Sequence, residues 1–109
     1  MQKKEKVIVL IPAYNSEKEI LEVFDNLKNL NDYYDEIIFC DDGSIDNTLE
    51  NVKQIRKSWQ LKEKILIFRH KRNIGYGAAQ KTLFRHFLDR NGDIAVLIHS
   101  DNQYPSERI

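Results

Sequence analysis

The stretch Val7-Ile8-Val9-Leu10-Ile11-Pro12-Ala13-Tyr14-Asn15-Ser16-Glu17-Lys18-Glu19 decides the fold. Val7 to Ile11 are apolar without polar alternation, which is the pattern of a strand buried on both faces of a parallel sheet. Pro12 is expected to stop that strand, because proline donates nothing to a ladder. Ser16 followed three residues later by Glu19 is a capping-box pattern. Ile20, Phe24 and Leu27 then recur at helical spacing, with Val23 and Leu30 widening the stripe, so a helix is expected from about Glu17 to about Leu30.

The alternation of strand and helix repeats outward from there. Ile37-Ile38-Phe39-Cys40 is a second apolar run, ended by the turn formers Asp41-Asp42-Gly43-Ser44. Asp46 is placed to cap a second helix, whose apolar positions Thr48, Val52, Ile55 and Trp59 keep helical spacing and which ends near Trp59. Ile65 to Phe68 reads as a third strand, and the basic segment Arg69 to Asn73 leads into Gly75-Tyr76-Gly77. Ala79, Leu83 and Phe87 share one face of a third helix, Asn91-Gly92 ends it, and Ile94 to Ile98 forms a fourth strand. Parallel strands need crossovers, and right-handed crossovers put helices on the faces of the sheet. The fold class is therefore α/β, a Rossmann-like three-layer α/β/α sandwich with a mainly parallel sheet.

Composition narrows the function. The chain has 109 residues and balances 17 Lys+Arg against 17 Asp+Glu, for a net charge of 0. No long-range field gathers phosphate backbones or anionic lipid, so nucleic acid is not an expected partner and any anion site must be local. Cys40 is the single cysteine, which excludes an internal disulfide and an all-cysteine metal site and fits a reducing, cytoplasmic compartment. It reads as a small buried apolar residue. The apolar run from Val7 to Ile11 is too short for a signal peptide or a membrane span. The chain reaches Ile109 inside what reads as a polar turn or helix start shortly after the fourth strand, so residues 1–109 are expected to be the N-terminal half of a longer domain.

In open parallel sheets, ligands bind outside the carboxyl ends of the strands. Four polar clusters follow strands directly: Pro12 to Asn15, Asp41 to Ser44, His70 to Gly77, and His99 to Gln103. A carboxylate in Asp41-Asp42-Gly43-Ser44 can accept a base N–H or a ribose hydroxyl, although the same residues also make an ordinary turn. Asp101 and Gln103 can face one divalent cation if phosphate oxygens complete its shell; an Asx-type turn is the alternative. Gly75-x-Gly77 lacks the third glycine of a dinucleotide fingerprint, where Gln80 stands, and follows the third strand rather than the first. Its glycines let a backbone pass close to a ligand at a helix N-terminus, or simply make a tight loop. Arg69, Lys71 and Arg72 either offset diphosphate charge or solvate that loop. His70, His86 and His99 have no zinc-ligand spacing; His86 reads as a surface or boundary residue of the third helix, and His99 alone is a candidate for the metal site. A P-loop is absent.

Taken together, Ile11-Pro12-Ala13-Tyr14-Asn15 with Glu17 or Glu19, Asp41-Asp42-Gly43-Ser44 with Asp46 and Thr48, Asn73-x-Gly75-x-Gly77-Ala78, and Asp101-x-Gln103-x-Pro105 resemble the family 2 glycosyltransferases. The likeness covers nearly the whole chain and points towards the dolichyl- or polyprenyl-phosphate sugar synthases. It implies a GT-A fold whose N-terminal half binds the nucleotide of a sugar donor. By position it implies that Pro12, Ala13, Tyr14 and Asn15 line the nucleotide pocket, with Asp42 at the base, Asp41 close by, and Asn73, Gly75 and Gly77 in the adjoining loop. Asp101 matches the family's metal-binding Asp, and Gln103 stands near the metal. His99 occupies the place of the first Asp of Asp-x-Asp; an imidazole supplies less charge than a carboxylate and favours Mn²⁺ over Mg²⁺.

The implied reaction is an inverting displacement at the anomeric carbon of a nucleotide-diphosphate sugar, with a divalent cation, Mn or Mg, stabilising the departing diphosphate. The resemblance implies polyprenyl phosphate as acceptor and work at the cytoplasmic membrane face, with no transmembrane segment in this chain. It places the catalytic base beyond Ile109, so this chain alone binds donor without completing transfer. From a different class, a noncatalytic α/β nucleotide-binding or interaction module is the alternative, favoured by His99. A sugar-phosphate nucleotidyltransferase expects a Gly-rich basic loop after the first strand, which Pro12 to Asn15 is not. A phospho-receiver domain needs a late-strand Lys that cannot be located.

Overall fold

A computed structural model describes residues 4–59 and 64–100. The chain runs β1 (Val7–Ala13), α1 (Glu19–Asn29), a 3₁₀ turn (Asn31–Tyr33), β2 (Glu36–Asp41), α2 (Thr48–Ser58), β3 (Lys64–Arg69), α3 (Tyr76–Asp89) and β4 (Ile94–Leu97). The strands are parallel and lie in the order β3-β2-β1-β4. Right-handed crossovers explain the layers. The sheet grows one way from β1 to β3 with α1 and α2 on one face, then α3 returns across the other face to β4. The direction of growth therefore reverses between β1 and β4, which is the switch point where open α/β sheets bind ligands.

Two cores result from the period-2 alternation of the strands. Val9, Ile11, Ile37, Phe39 and Ile65 face α1 and α2, meeting Ile20, Phe24, Leu27 and Val52. Phe24 stands edge-on to both Phe39 and Trp59, at 6.3 and 5.9 Å between ring centroids. Ile8, Leu10, Ile38 and Cys40 face α3 through Ala79, Leu83 and Phe87.

Two local expectations are corrected. Pro12 does not stop β1, which continues to Ala13 in register with Asp41. The carbonyls of Leu10 and Pro12 point to the same side, one accepting Ile98 N–H and the other the Ser100 hydroxyl. The ladder with β4 has already ended at Leu97, so the missing N–H of Pro12 faces no strand. The capping box does not form: Ser16 is fully buried with its Oγ 3.4 Å from Ser100 Oγ, and α1 begins only at Glu19. Asp46 does accept the Thr48 N–H, at 2.9 Å, although Asn47 is the residue that flanks α2. The 3₁₀ turn has no signal in the sequence.

The amino-terminal edge of the sheet is closed by charge. Glu36, 5% exposed, accepts Arg90 Nε at 2.5 Å, Arg90 Nη2 at 3.0 Å and Lys6 Nζ at 3.0 Å. The Arg90 hydrogen bond outweighs burial, and with Lys6 holds the Glu36 carboxyl below its ordinary value of 4.5. A lowered native value means stabilisation that is complete above about pH 4.5 and lost as pH falls below it. Glu36→Gln is expected to lose about 2 kcal/mol at pH 7, with the gap to wild type closing on acidification below pH 4.5. Denaturation midpoints at pH 7 and at acid pH check both the size and the direction.

Candidate functional site

The carboxyl ends of the strands carry loops that are stitched to one another. Asn15 takes the left-handed conformation at φ 50°, which asparagine tolerates. Its N–H donates to Ser44 Oγ at 2.8 Å and its Oδ1 accepts Ile45 N–H at 3.0 Å. Ser16 N–H donates to Thr48 Oγ1, and Glu17 accepts Asn47 N–H while its carbonyl accepts Asn51. The β1 and β2 loops thus form one polar platform. On the switch-point side, Ser100 is buried and donates to the Pro12 carbonyl at 3.0 Å, tying the exit of β4 to the end of β1.

Asp41 ends β2, Asp42 follows it, and both are fully buried. Asp42 is saturated. Its Oδ1 accepts His70 Nδ1 at 2.7 Å and Ile74 N–H at 3.0 Å, and its Oδ2 accepts Gly75 N–H at 2.8 Å and Asn73 Nδ2 at 2.9 Å. Asp41 Oδ2 accepts Ser44 N–H at 3.1 Å, whereas its buried Oδ1 has no hydrogen-bond partner among the described residues. Buried acceptors are rarely left so. Gly43, at φ 76°, lies against the Arg72–Asn73 backbone so closely that a Cβ would come within 2.2 Å of it. Gly75, at φ 124°, precedes the first turn of α3 in a backbone shape that side chains disfavour.

Of the residues singled out in the sequence, Pro12 and Ala13 are buried in β1, while Tyr14 and Asn15 are partly exposed above it. Asn73 and Gly77 are exposed, with Gly75 half-buried between them. Arg69, Lys71 and Arg72 are exposed beside the same loop. His99 is exposed, its ring stacked on Tyr76 at 5.3 Å with the Tyr76 hydroxyl 3.2 Å from the imidazole nitrogens. Burial raises the Tyr76 phenol above its ordinary value. Asp101 and Gln103 lie outside the described residues. A groove of about 440 Å³ opens beside His99, with Val23, Leu27 and Ile98 as its apolar wall and Glu19 and Glu22 at its edge.

Reading the sequence assigns no role to His70, Thr82, Tyr76 or Ser100. The signal for His70 is its place directly after β3, opposite Asp42 once Asp41 pairs with Arg69. Cys40 is as expected: burial first, then the charges of Asp42 and Asp41, push its thiol up to about 12, which rules it out as a nucleophile at neutral pH. Among the described residues no cluster of three His, Cys, Asp or Glu can hold a metal ion, and no helix is long and apolar enough to cross a membrane.

Comparisons with known proteins agree with this layout. The chain is 35% identical to a UDP-N-acetylglucosamine–dolichyl-phosphate N-acetylglucosaminyltransferase of Methanococcus voltae, over 94% of this chain and 44% of that protein. It is 31% identical to a dolichol-phosphate mannosyltransferase of Pyrococcus furiosus, over 95% of this chain and 28% of that one. The chain thus spans less than half the length of these relatives. Among solved structures, glucosyl-3-phosphoglycerate synthase from Mycobacterium tuberculosis, crystallised with Mn²⁺, UDP and glucosyl-3-phosphoglycerate, superposes with a TM-score of 0.67 at 28% identity. That match covers 89% of this chain and 34% of the synthase, and the fold is of the GT-A type. The model of glycosyl transferase family 2 matches residues 8–109, and with the parallel sheet, the switch point and the Asp41–Asp42 loop cluster in place, the chain belongs to that family.

Proposed function

We propose that residues 1–109 form the nucleotide-sugar-binding half of a family 2 glycosyltransferase that transfers a sugar, with inversion, from a nucleoside-diphosphate donor to a polyprenyl-phosphate acceptor. The observation that carries this is Asp41 Oδ1, a buried acceptor at the end of β2 without a protein donor among the described residues. A donor-bearing ligand, such as a base N–H or a ribose hydroxyl, answers it when the residues that cover Asp41 give way to the ligand. Asp42 is engaged four times over, so in this reading it shapes the pocket and Asp41 addresses the nucleotide. Tyr14, Asn15, Asn73, Gly75 and Gly77 line the same edge, and Pro12 and Ala13 support it from within β1.

Asp101 and Gln103 offer a carboxylate and an amide oxygen, hard donors that suit Mg²⁺ or Mn²⁺ when diphosphate oxygens complete the shell. His99 is turned to Tyr76, so we assign the metal to the other two. Such a cation, when bound, neutralises charge on the leaving nucleoside diphosphate. The exposed Arg69, Lys71 and Arg72 add local positive charge beside the loop. The Mn²⁺ and UDP of the mycobacterial synthase support donor and cation, and the dolichyl-phosphate names of two relatives support the acceptor and a place at the cytoplasmic membrane face. The catalytic base is assigned to the part of the relatives' length that this chain does not cover.

Calorimetry of UDP, GDP and CDP against the complete protein, with Mn²⁺, with Mg²⁺ and with chelator, tests the reading. One nucleotide is expected to bind in a metal-dependent way. Absence of binding for all three would favour the noncatalytic module, to which the engagement of His99 by Tyr76 also points.

A further inference from the structure

We infer that His70 is a positioning residue for the donor site: through Asp42 it sets the loop from Asn73 to Gly77 against the end of the sheet. The inference rests on the proposed function for what that loop binds, and on geometry alone for how the loop is held. His70 is the first residue after β3, and its own N–H donates to the Asp41 carbonyl at 2.8 Å. Its side chain is only 13% exposed. Nδ1 lies 2.7 Å from Asp42 Oδ1 and must be the donor there, because an ionised carboxylate only accepts. Nε2 lies 2.8 Å from Thr82 Oγ1 on α3, and in the neutral ring it accepts the threonine hydroxyl. One imidazole therefore joins the ends of β2 and β3 to the body of α3.

The effect passes outward through Asp42. With Oδ1 held by His70, both oxygens are oriented to receive the N–H groups of Ile74 and Gly75 in succession. Those two bonds fix Gly75 at φ 124° and so set where α3 begins, at Tyr76. Without His70 the Asp42 carboxylate keeps only partners within the loop itself, Asn73, Ile74 and Gly75, and loses the bond that orients it against β3 and α3. Ligand contacts made by that loop then carry an ordering penalty, which appears as weaker binding. Histidine and asparagine present an N–H at nearly the same distance from the backbone, so asparagine can replace the Nδ1 bond but not the one to Thr82.

The test uses the complete protein and three variants, His70→Ala, His70→Asn and Thr82→Val, with UDP and GDP in Mn²⁺ as probes. His70→Ala is expected to raise the Kd of whichever nucleotide binds by about tenfold. His70→Asn should recover most of the loss, and Thr82→Val should fall between. Hydrogen exchange at the Gly75 amide gives a readout independent of nucleotide: faster in His70→Ala, restored in His70→Asn. Circular dichroism identifies any variant that has failed to fold, and Thr82→Val keeps the clamp testable if His70→Ala does. Wild-type affinity and wild-type Gly75 protection in a folded His70→Ala protein would overturn the positioning role. No nucleotide binding by wild type, with Gly75 protection still dependent on His70, would instead overturn the donor-site reading and leave the clamp standing.

Discussion

Asp42→Ala is expected to lower the unfolding free energy by about 3–4 kcal/mol, more than any other single substitution at the carboxyl edge of the sheet. The carboxylate accepts from His70 Nδ1, Asn73 Nδ2, Ile74 N–H and Gly75 N–H, and it is fully buried. Truncation leaves four donors without their acceptor, and an abandoned buried donor costs about 1–3 kcal/mol where water cannot replace the partner. Asn73 and Ile74 are exposed and find water, which keeps the sum well below four full penalties. Asp42→Asn should be intermediate, since its amide retains one acceptor and turns an NH₂ towards two of the donors. Against a typical stability of about 5–15 kcal/mol the alanine variant is a large perturbation. Chemical denaturation with an unchanged slope measures it; a loss below about 0.5 kcal/mol would mean that the loop stands without its anchor.

The second large effect concerns function. Asp101→Ala is expected to reduce metal-dependent affinity for the nucleoside diphosphate by about 100-fold, at the upper end of the roughly 10–100-fold loss of metal affinity that follows removal of even an outer partner of a metal ligand. Ser100, which precedes it in the sequence, is hooked to the Pro12 carbonyl beside the switch point between β1 and β4. Chelation of the wild-type protein should reproduce the loss, and the variant should gain nothing from added Mn²⁺. His99→Ala is a contrast: its ring is occupied by Tyr76, so a change of a few-fold at most is expected. Unchanged nucleotide affinity of Asp101→Ala in Mn²⁺ would remove Asp101 from the metal site.

How much of this molecule is legible in its sequence depends on the range of the interactions involved. Helix stripes such as Ile20-Phe24-Leu27 and apolar runs such as Ile37 to Cys40 are patterns among near neighbours, so the elements and their order can be read directly. The candidate edge is legible too, because each polar cluster follows a strand. The Ser16–Glu19 capping box misleads because tertiary partners, Thr48 and Ser100, compete for Ser16. Pro12 misleads because whether a proline breaks a strand depends on which neighbour faces its nitrogen.

Local pattern alone thus yields an alternating α/β chain, an inert buried Cys40, and a set of Asp, Asn and Gly residues gathered on one sheet edge. Contacts between distant segments are needed to place β4 beside β1, to turn Asp42 inward to His70, and to leave one oxygen of Asp41 without a partner among the described residues. Those outcomes rest on pairs of residues 28 to 88 positions apart. Parallel pairing sets such contacts through register, and register is a property of two strands together that neither run of residues contains alone.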